Sequence, residues 1–161
     1  MQMTNTRFEI LRDMELKYNI KDTKYFIELL KHDDYVIRTR ATCILADFGS
    51  QDFIEPIADV LQNDPNELVR HEAAFSLGQL SFTSAIKYLQ HATENDCSEF
   101  VRHEAAIALG VIGSTLAKNT LLKALKDKKN SVRQSAIIAL SNIDYIEKSH
   151  NAKKFARLTG G

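Results

Sequence analysis

LVRHEAAFSLGQLS (Leu68 to Ser81) and FVRHEAAIALGVIG (Phe100 to Gly113) are two versions of one amphipathic segment, set 32 residues apart. The frame recurs upstream as VIRTRATCILADFG (Val36 to Gly49) and downstream as SVRQSAIIALSNID (Ser131 to Asp144), so Arg38, Arg70, Arg102 and Arg133 are spaced by 32, 32 and 31 residues. A fixed period of this length marks a stack of helical hairpins, in which each unit covers the apolar face its neighbour cannot bury alone.

Within one block, Val69, Ala73, Leu77 and Leu80 follow the i, i+4, i+8, i+11 spacing of a single helical stripe and are core candidates. An acid stands six positions before three of the arginines, as Asp64, Asp96 and Asp127, with His32 followed by Asp33 in the first block. Asp64-Pro65-Asn66-Glu67 and Asp96-Cys97-Ser98-Glu99 read as helix N-caps, with Glu three places on to reach back and, in the former, Pro at the first helical position. Each such helix is the second (B) of a hairpin. The first (A) helices are expected over Asp22 to Lys31, Asp52 to Leu61, Thr83 to Ala92 and Leu116 to Leu125, and Phe8 to Tyr18 is expected to cap the stack. The expected organisation is one domain over 1–161: a capping segment over 1–21, repeats at 22–50, 51–81, 82–113 and 114–144, and a basic tail over 145–161. The fold class is all-α, an alpha-alpha superhelix of about four repeats.

With 21 basic and 21 acidic residues the chain has no global field to gather nucleic acid or anionic membrane. The balance hides an asymmetry, because residues 115–161 hold ten Lys/Arg and only three Asp/Glu. Cys43 and Cys97 lie far apart with no disulfide framework, and the N-terminal segment lacks a continuous apolar stretch, so the expected setting is a reducing, cytoplasmic one.

The chemistry-bearing pattern is the pair His71-Glu72, repeated as His103-Glu104. On helix geometry His71 lies opposite the core stripe and Glu72 about a quarter turn from it, so both imidazoles are expected on the concave face of the B helices. Ala74 and Gly78, and likewise Ala106 and Gly110, share that side and are expected to leave room for an approaching group. B helices packed about 8 to 10 Å apart would let the two imidazoles converge. Two imidazoles and a carboxylate with open positions are a ligand set of non-haem Fe(II) sites. The flanking repeats keep the packing residues and lose the pair, with Thr39-Arg40 in the first and Gln134-Ser135 in the fourth. The competing reading is an exposed polar pair copied by duplication. His32, His91 and His150 fall near helix ends or in the tail, where solvated or helix-end roles are expected. Cys43 aligns with Phe75 and Ile107 and is expected to be a small buried apolar residue.

LVRHEAAFSLGQL, FVRHEAAIALGVIG and SVRQSAIIALSNI together resemble HEAT-like repeats, and most closely one half of deoxyhypusine hydroxylase. That enzyme family has two halves, each with two His-Glu repeats flanked by repeats without them, and its four motifs surround a dinuclear iron centre that activates O₂ and hydroxylates a deoxyhypusine side chain. The resemblance implies His71, His103 and Glu104 as iron ligands, and Glu72 as a carboxylate behind them or a contact for a cationic substrate amine. It also implies a homodimer, since this chain has two motifs where the dinuclear enzyme needs four, and a protein substrate with a lysine-derived side chain. The alternatives are a non-enzymatic protein-protein interaction scaffold and, from the shared repeat frame alone, bilin-lyase-like chromophore handling. No nucleic-acid or membrane partner is expected.

Overall fold

The computed structural model describes residues 6–149. Among them there is no strand, and the helices form two layers. The A layer holds α2 (Thr23–Leu29), α4 (Ile54–Asn63), α6 (Ile86–Asn95) and α8 (Lys118–Ala124), the last three entered through single 3₁₀ turns. The B layer holds α3 (Tyr35–Asp47), α5 (Glu67–Leu80), α7 (Glu99–Ile112) and α9 (Asn130–Lys148), and α1 (Arg7–Asn19) lies across the first hairpin. The all-α superhelix of four hairpins with an N-terminal capping helix is therefore what forms. α9 continues to Lys148, beyond Asp144 where the apolar pattern thins. The rest of the expected basic tail, with His150, lies outside the described residues.

The predicted stripe is core: Val69, Ala73 and Leu77 are fully buried and Leu80 nearly so, and Val101, Ala105, Leu109 and Ile112 repeat the arrangement one hairpin later. The N-terminal end is sealed by aromatics, with Tyr18 stacked on Phe48 at 5.5 Å and Phe48 edge-on to Phe26 at 5.7 Å. Among the described helices α1 alone carries a capping box, between Thr6 and Glu9.

The aspartates do something other than cap the B helices. The N-caps are Asn66, whose side chain accepts from the Leu68 amide, and Ser98. Asp64, Asp96 and Asp127 stand two residues before the N-caps and accept from the amides of Asn66, Ser98 and Lys129 at 2.8 Å. Their carboxylates then receive the guanidinium of the preceding repeat. Arg38 donates through Nε and Nη2 to Asp64 at 2.6 and 3.0 Å, Arg70 to Asp96 at 2.8 and 2.9 Å, and Arg102 to Asp127 at 2.8 and 3.1 Å. Each Arg also donates Nη1 to a carbonyl at its own hairpin turn. A planar fork bound at both prongs fixes orientation as well as distance, so this ladder sets the register between successive hairpins.

Gly78 and Gly110 serve the same stacking. A Cβ on Gly78 would lie 2.8 Å from Ala108 Cβ, and one on Gly110 2.6 Å from Ala139 Cα. Together with Ala74 and Ala106, which are fully buried, they let neighbouring B helices touch. The expectation that these small residues clear space around the histidines is corrected: helix, not ligand, occupies that space.

Candidate metal centre

His71 and Glu72 are adjacent in sequence and separate in space. His71 turns toward the next repeat, where its Nε2 lies 3.5 Å from Glu104 Oε2. Glu72 turns toward the preceding repeat and meets the thiol of Cys43 on α3. The second motif repeats this divergence: Glu104 faces back to α5, and His103 faces forward to α9. There its Nδ1 is 2.6 Å from Ser135 Oγ and 3.5 Å from the Ser131 carbonyl. At this level of the stack position one of a motif meets position two of the next repeat, as His71 meets Glu104 and His103 meets Ser135. Two motifs in a row make one His–Glu contact.

Cys43 is exposed rather than buried, which corrects the sequence reading. Its alignment with Phe75 and Ile107 holds, but the aligned position lies on the free face of the B layer, where Phe75 and Ile138 are also exposed. Ser135, which in sequence marks the loss of the motif, is the partner of His103. The recurrence of position two along the B helices was the signal available for it.

Burial dominates the electrostatics of these side chains. Burial, with Glu72 as a second cause, pushes the Glu104 carboxyl up to about 7; its residue is 9% exposed. Burial also raises Glu72, against the hydrogen bond from Cys43. His71 is lowered by burial and then by His103. Each group is thus biased to its neutral form, and the 3.5 Å approach of His71 to Glu104 is a contact between groups that resist charging rather than a strong ion pair. Ser135 Oγ donates to the Ser131 carbonyl at 2.9 Å, which leaves its lone pair to accept from His103. We assign the proton of that imidazole to Nδ1 and the free lone pair to Nε2, the arrangement by which second-sphere partners prepare a histidine for a metal.

The donor chemistry therefore fits a divalent metal, whose charge would reverse the bias on every group. The number converging does not complete a site, because among the described residues no three His, Cys, Asp or Glu side chains are grouped closely enough to hold an ion. His71 and Glu104 come together, His103 and Glu72 flank them, and the remaining ligands are not supplied within reach. His32 accepts from the Asp34 amide through Nδ1, and His91 lies within α6, one turn before Asn95, on the A layer rather than on this face.

A two-layer stack of helical hairpins tied by an Arg–Asp ladder defines a helical-repeat protein. The model for HEAT repeats matches residues 7–78, 23–110 and 93–153, and the chain belongs to the HEAT-repeat family. Among solved structures it is similar to human deoxyhypusine hydroxylase in complex with glycerol, at 30% identity and a TM-score of 0.69 over 76% of this chain. The match covers 43% of that enzyme, so the chain spans less than half its length. It is also similar in fold to the complex of CpcE and CpcF of phycocyanin lyase from Nostoc sp. PCC7120, at 19% identity and a TM-score of 0.52, over 76% of this chain and 65% of that one. No curated protein matches it in sequence. No helix among the described residues is long and apolar enough to cross a membrane.

Proposed function

We propose that this chain is a metal-dependent oxygenase of the deoxyhypusine hydroxylase kind, with a dinuclear iron site completed across a homodimer. The observation that carries the reading is the His71–Glu104 contact across a repeat boundary, with the ring of His103 on the next motif held through Nδ1 by Ser135. His71, His103 and Glu104 would hold iron, which when bound supplies the one-electron chemistry that activates O₂. A twofold axis through this face would bring two such half-sites together, since an isologous contact opposes identical patches. Ser135 holds the His103 ring by its Nδ1 proton. Glu72, whose carboxyl burial raises, would accept a hydrogen bond from an amine-bearing side chain of a protein substrate.

Purification with Fe(II) followed by metal analysis and light scattering tests the reading. A metal-loaded dimer is expected, with iron lost in the His71→Ala, His103→Ala double variant. Equally little iron in both proteins, or a metal-loaded monomer, overturns it.

A second reading is favoured by Leu68 and Phe100, each 56% exposed, and Phe75, which share the helical side of the His-Glu pairs. Apolar side chains around a polar centre suit a non-enzymatic scaffold that grips a partner protein. In that case substitution of the pairs alters partner affinity while metal content stays negligible.

A further inference from the structure

The two ends of the stack are finished differently. At the N-terminal end α1 lies across the first hairpin, with Arg7 bound to Asp34 at 2.6 Å. The position of Asp64, Asp96 and Asp127 is taken there by His32, whose Nδ1 accepts the Asp34 amide at 3.0 Å as those aspartates accept theirs. The cap geometry is kept and the acid that would receive a guanidinium is gone. At the C-terminal end the reverse holds. Arg133 makes the ladder's contact to its own hairpin, donating to the Asp127 carbonyl at 2.8 Å, and otherwise to Asn130 Oδ1 at 3.2 Å. No carboxylate among the described residues takes the place that Asp64, Asp96 and Asp127 hold for Arg38, Arg70 and Arg102.

The apolar surface around Arg133 is open in the same sense. Thr42, Ala74 and Ala106 stand four residues after their arginines and are fully buried against the next B helix, whereas the equivalent Ile137 is 55% exposed. On the A layer Ala58 is buried against the following hairpin, and its equivalent Leu122 is 52% exposed. Position for position, this is a stacking face that no hairpin among the described residues covers.

Charge decides among occupants. The segment after the described residues, 150–161, contains no Asp or Glu and cannot complete the Arg133 link by a side chain. The N-terminal end of a second copy offers His32 where the acid is required. We infer that this C-terminal face docks a helical hairpin from outside residues 1–161, one that carries an aspartate in the turn before its second helix. The docked helix extends the B layer beside α9, and its aspartate receives Nε and Nη2 of Arg133. This inference stands apart from the metal reading, which concerns the free face of α5 and α7.

The chain's own 51–81 hairpin is the natural probe. It carries Asp64 and packs against α3, where Ala46 occupies the place that Ser141 has in α9, so it accepts a Cβ that the later hairpins, set against Gly78 and Gly110, do not. A full chain in which a second copy of 51–81 follows Ser149 keeps the hairpin at high effective concentration. Its melting temperature is expected to exceed that of the parent by about 4 °C or more. The gain should vanish on Asp64→Asn in the added copy alone, and on Arg133→Ala. No gain, or a gain indifferent to both substitutions, overturns the inference. So does a change in sedimentation of the unmodified chain on Arg133→Glu, which would make the occupant a second copy. Removal of 150–161 that lowers the melting temperature in the wild type and not in Arg133→Ala also overturns it, since the tail would then be the occupant.

Discussion

The imidazole of His71 meets the carboxyl of Glu104 in the following repeat, 3.5 Å away, while its sequence neighbour Glu72 faces the preceding one. A motif written as a dipeptide thus acts as two half-contacts, and its yield depends on what the neighbouring repeats provide. Ser135 stands at position two after the run, so His103 is left with a serine, while Glu72 meets Cys43 rather than Thr39.

The His103–Ser135 contact predicts a tautomer. In the metal-free protein, nitrogen chemical shifts should show His103 protonated at Nδ1, and Ser135→Ala should shift the balance toward Nε2. If the ring holds metal, the same substitution should weaken affinity about 10- to 100-fold, the usual effect of losing a second-sphere partner. An unchanged tautomer would remove Ser135 from any orienting role.

Glu104 predicts a pH dependence of folding. Its carboxyl is raised by burial to about 7 in the folded protein, well above the 4.5 of an ordinary glutamate. The folded state therefore holds the proton more tightly, and the associated stability, present below about pH 4.5, is lost as pH rises through about 7. The size is at most about 3 kcal/mol for a side chain this buried. His71, lowered by burial, acts in the opposite sense as pH falls below its unfolded value. The difference between wild type and Glu104→Gln isolates the carboxyl: in metal-free urea titrations Glu104→Gln should gain on the wild type from pH 5 to pH 8, and parallel curves would contradict the burial argument.

The ladder predicts large costs for single breaks. Arg70 and Asp96 have side chains only 10% and 8% exposed, so Asp96→Asn leaves a buried guanidinium without its counter-charge. A loss of about 3 kcal/mol or more is expected, with the Arg70→Met, Asp96→Leu double variant losing less than the two single changes combined. Additive single effects would show that the pair is not coupled.

Gly110 separates packing from propensity. Alanine is the better helix former by about 1 kcal/mol, yet its methyl at Gly110 would stand 2.6 Å from the Ala139 backbone. Gly110→Ala is expected to destabilise by about 1 to 3 kcal/mol through overpacking. A stabilised variant would mean that α7 and α9 separate freely.

Much of the fold is legible in the arginine period and the apolar stripe, because a hairpin repeat writes its burial pattern locally and copies it. Val69 and Leu77 are core for reasons contained within one helix. The aspartates were visible and misassigned, since an acid before a helix is locally a cap, and nothing in one repeat shows that the next repeat's acid lies against its arginine. Cys43 failed likewise: alignment placed it correctly beside Phe75, and only packing revealed that the shared position is exposed.

The sequence by itself determined the helices, their number and the two layers, and it singled out His71, Glu72, His103 and Glu104 as the candidate site. The offset between neighbouring B helices was decided by tertiary structure alone. It follows from Gly78 against Ala108, Gly110 against Ala139 and the three Arg–Asp forks, which are contacts between residues 25 to 30 apart in the chain. That offset joins His71 to Glu104 and parts it from Glu72, because side-chain direction along a helix is local while the partner it meets depends on how the next helix slides.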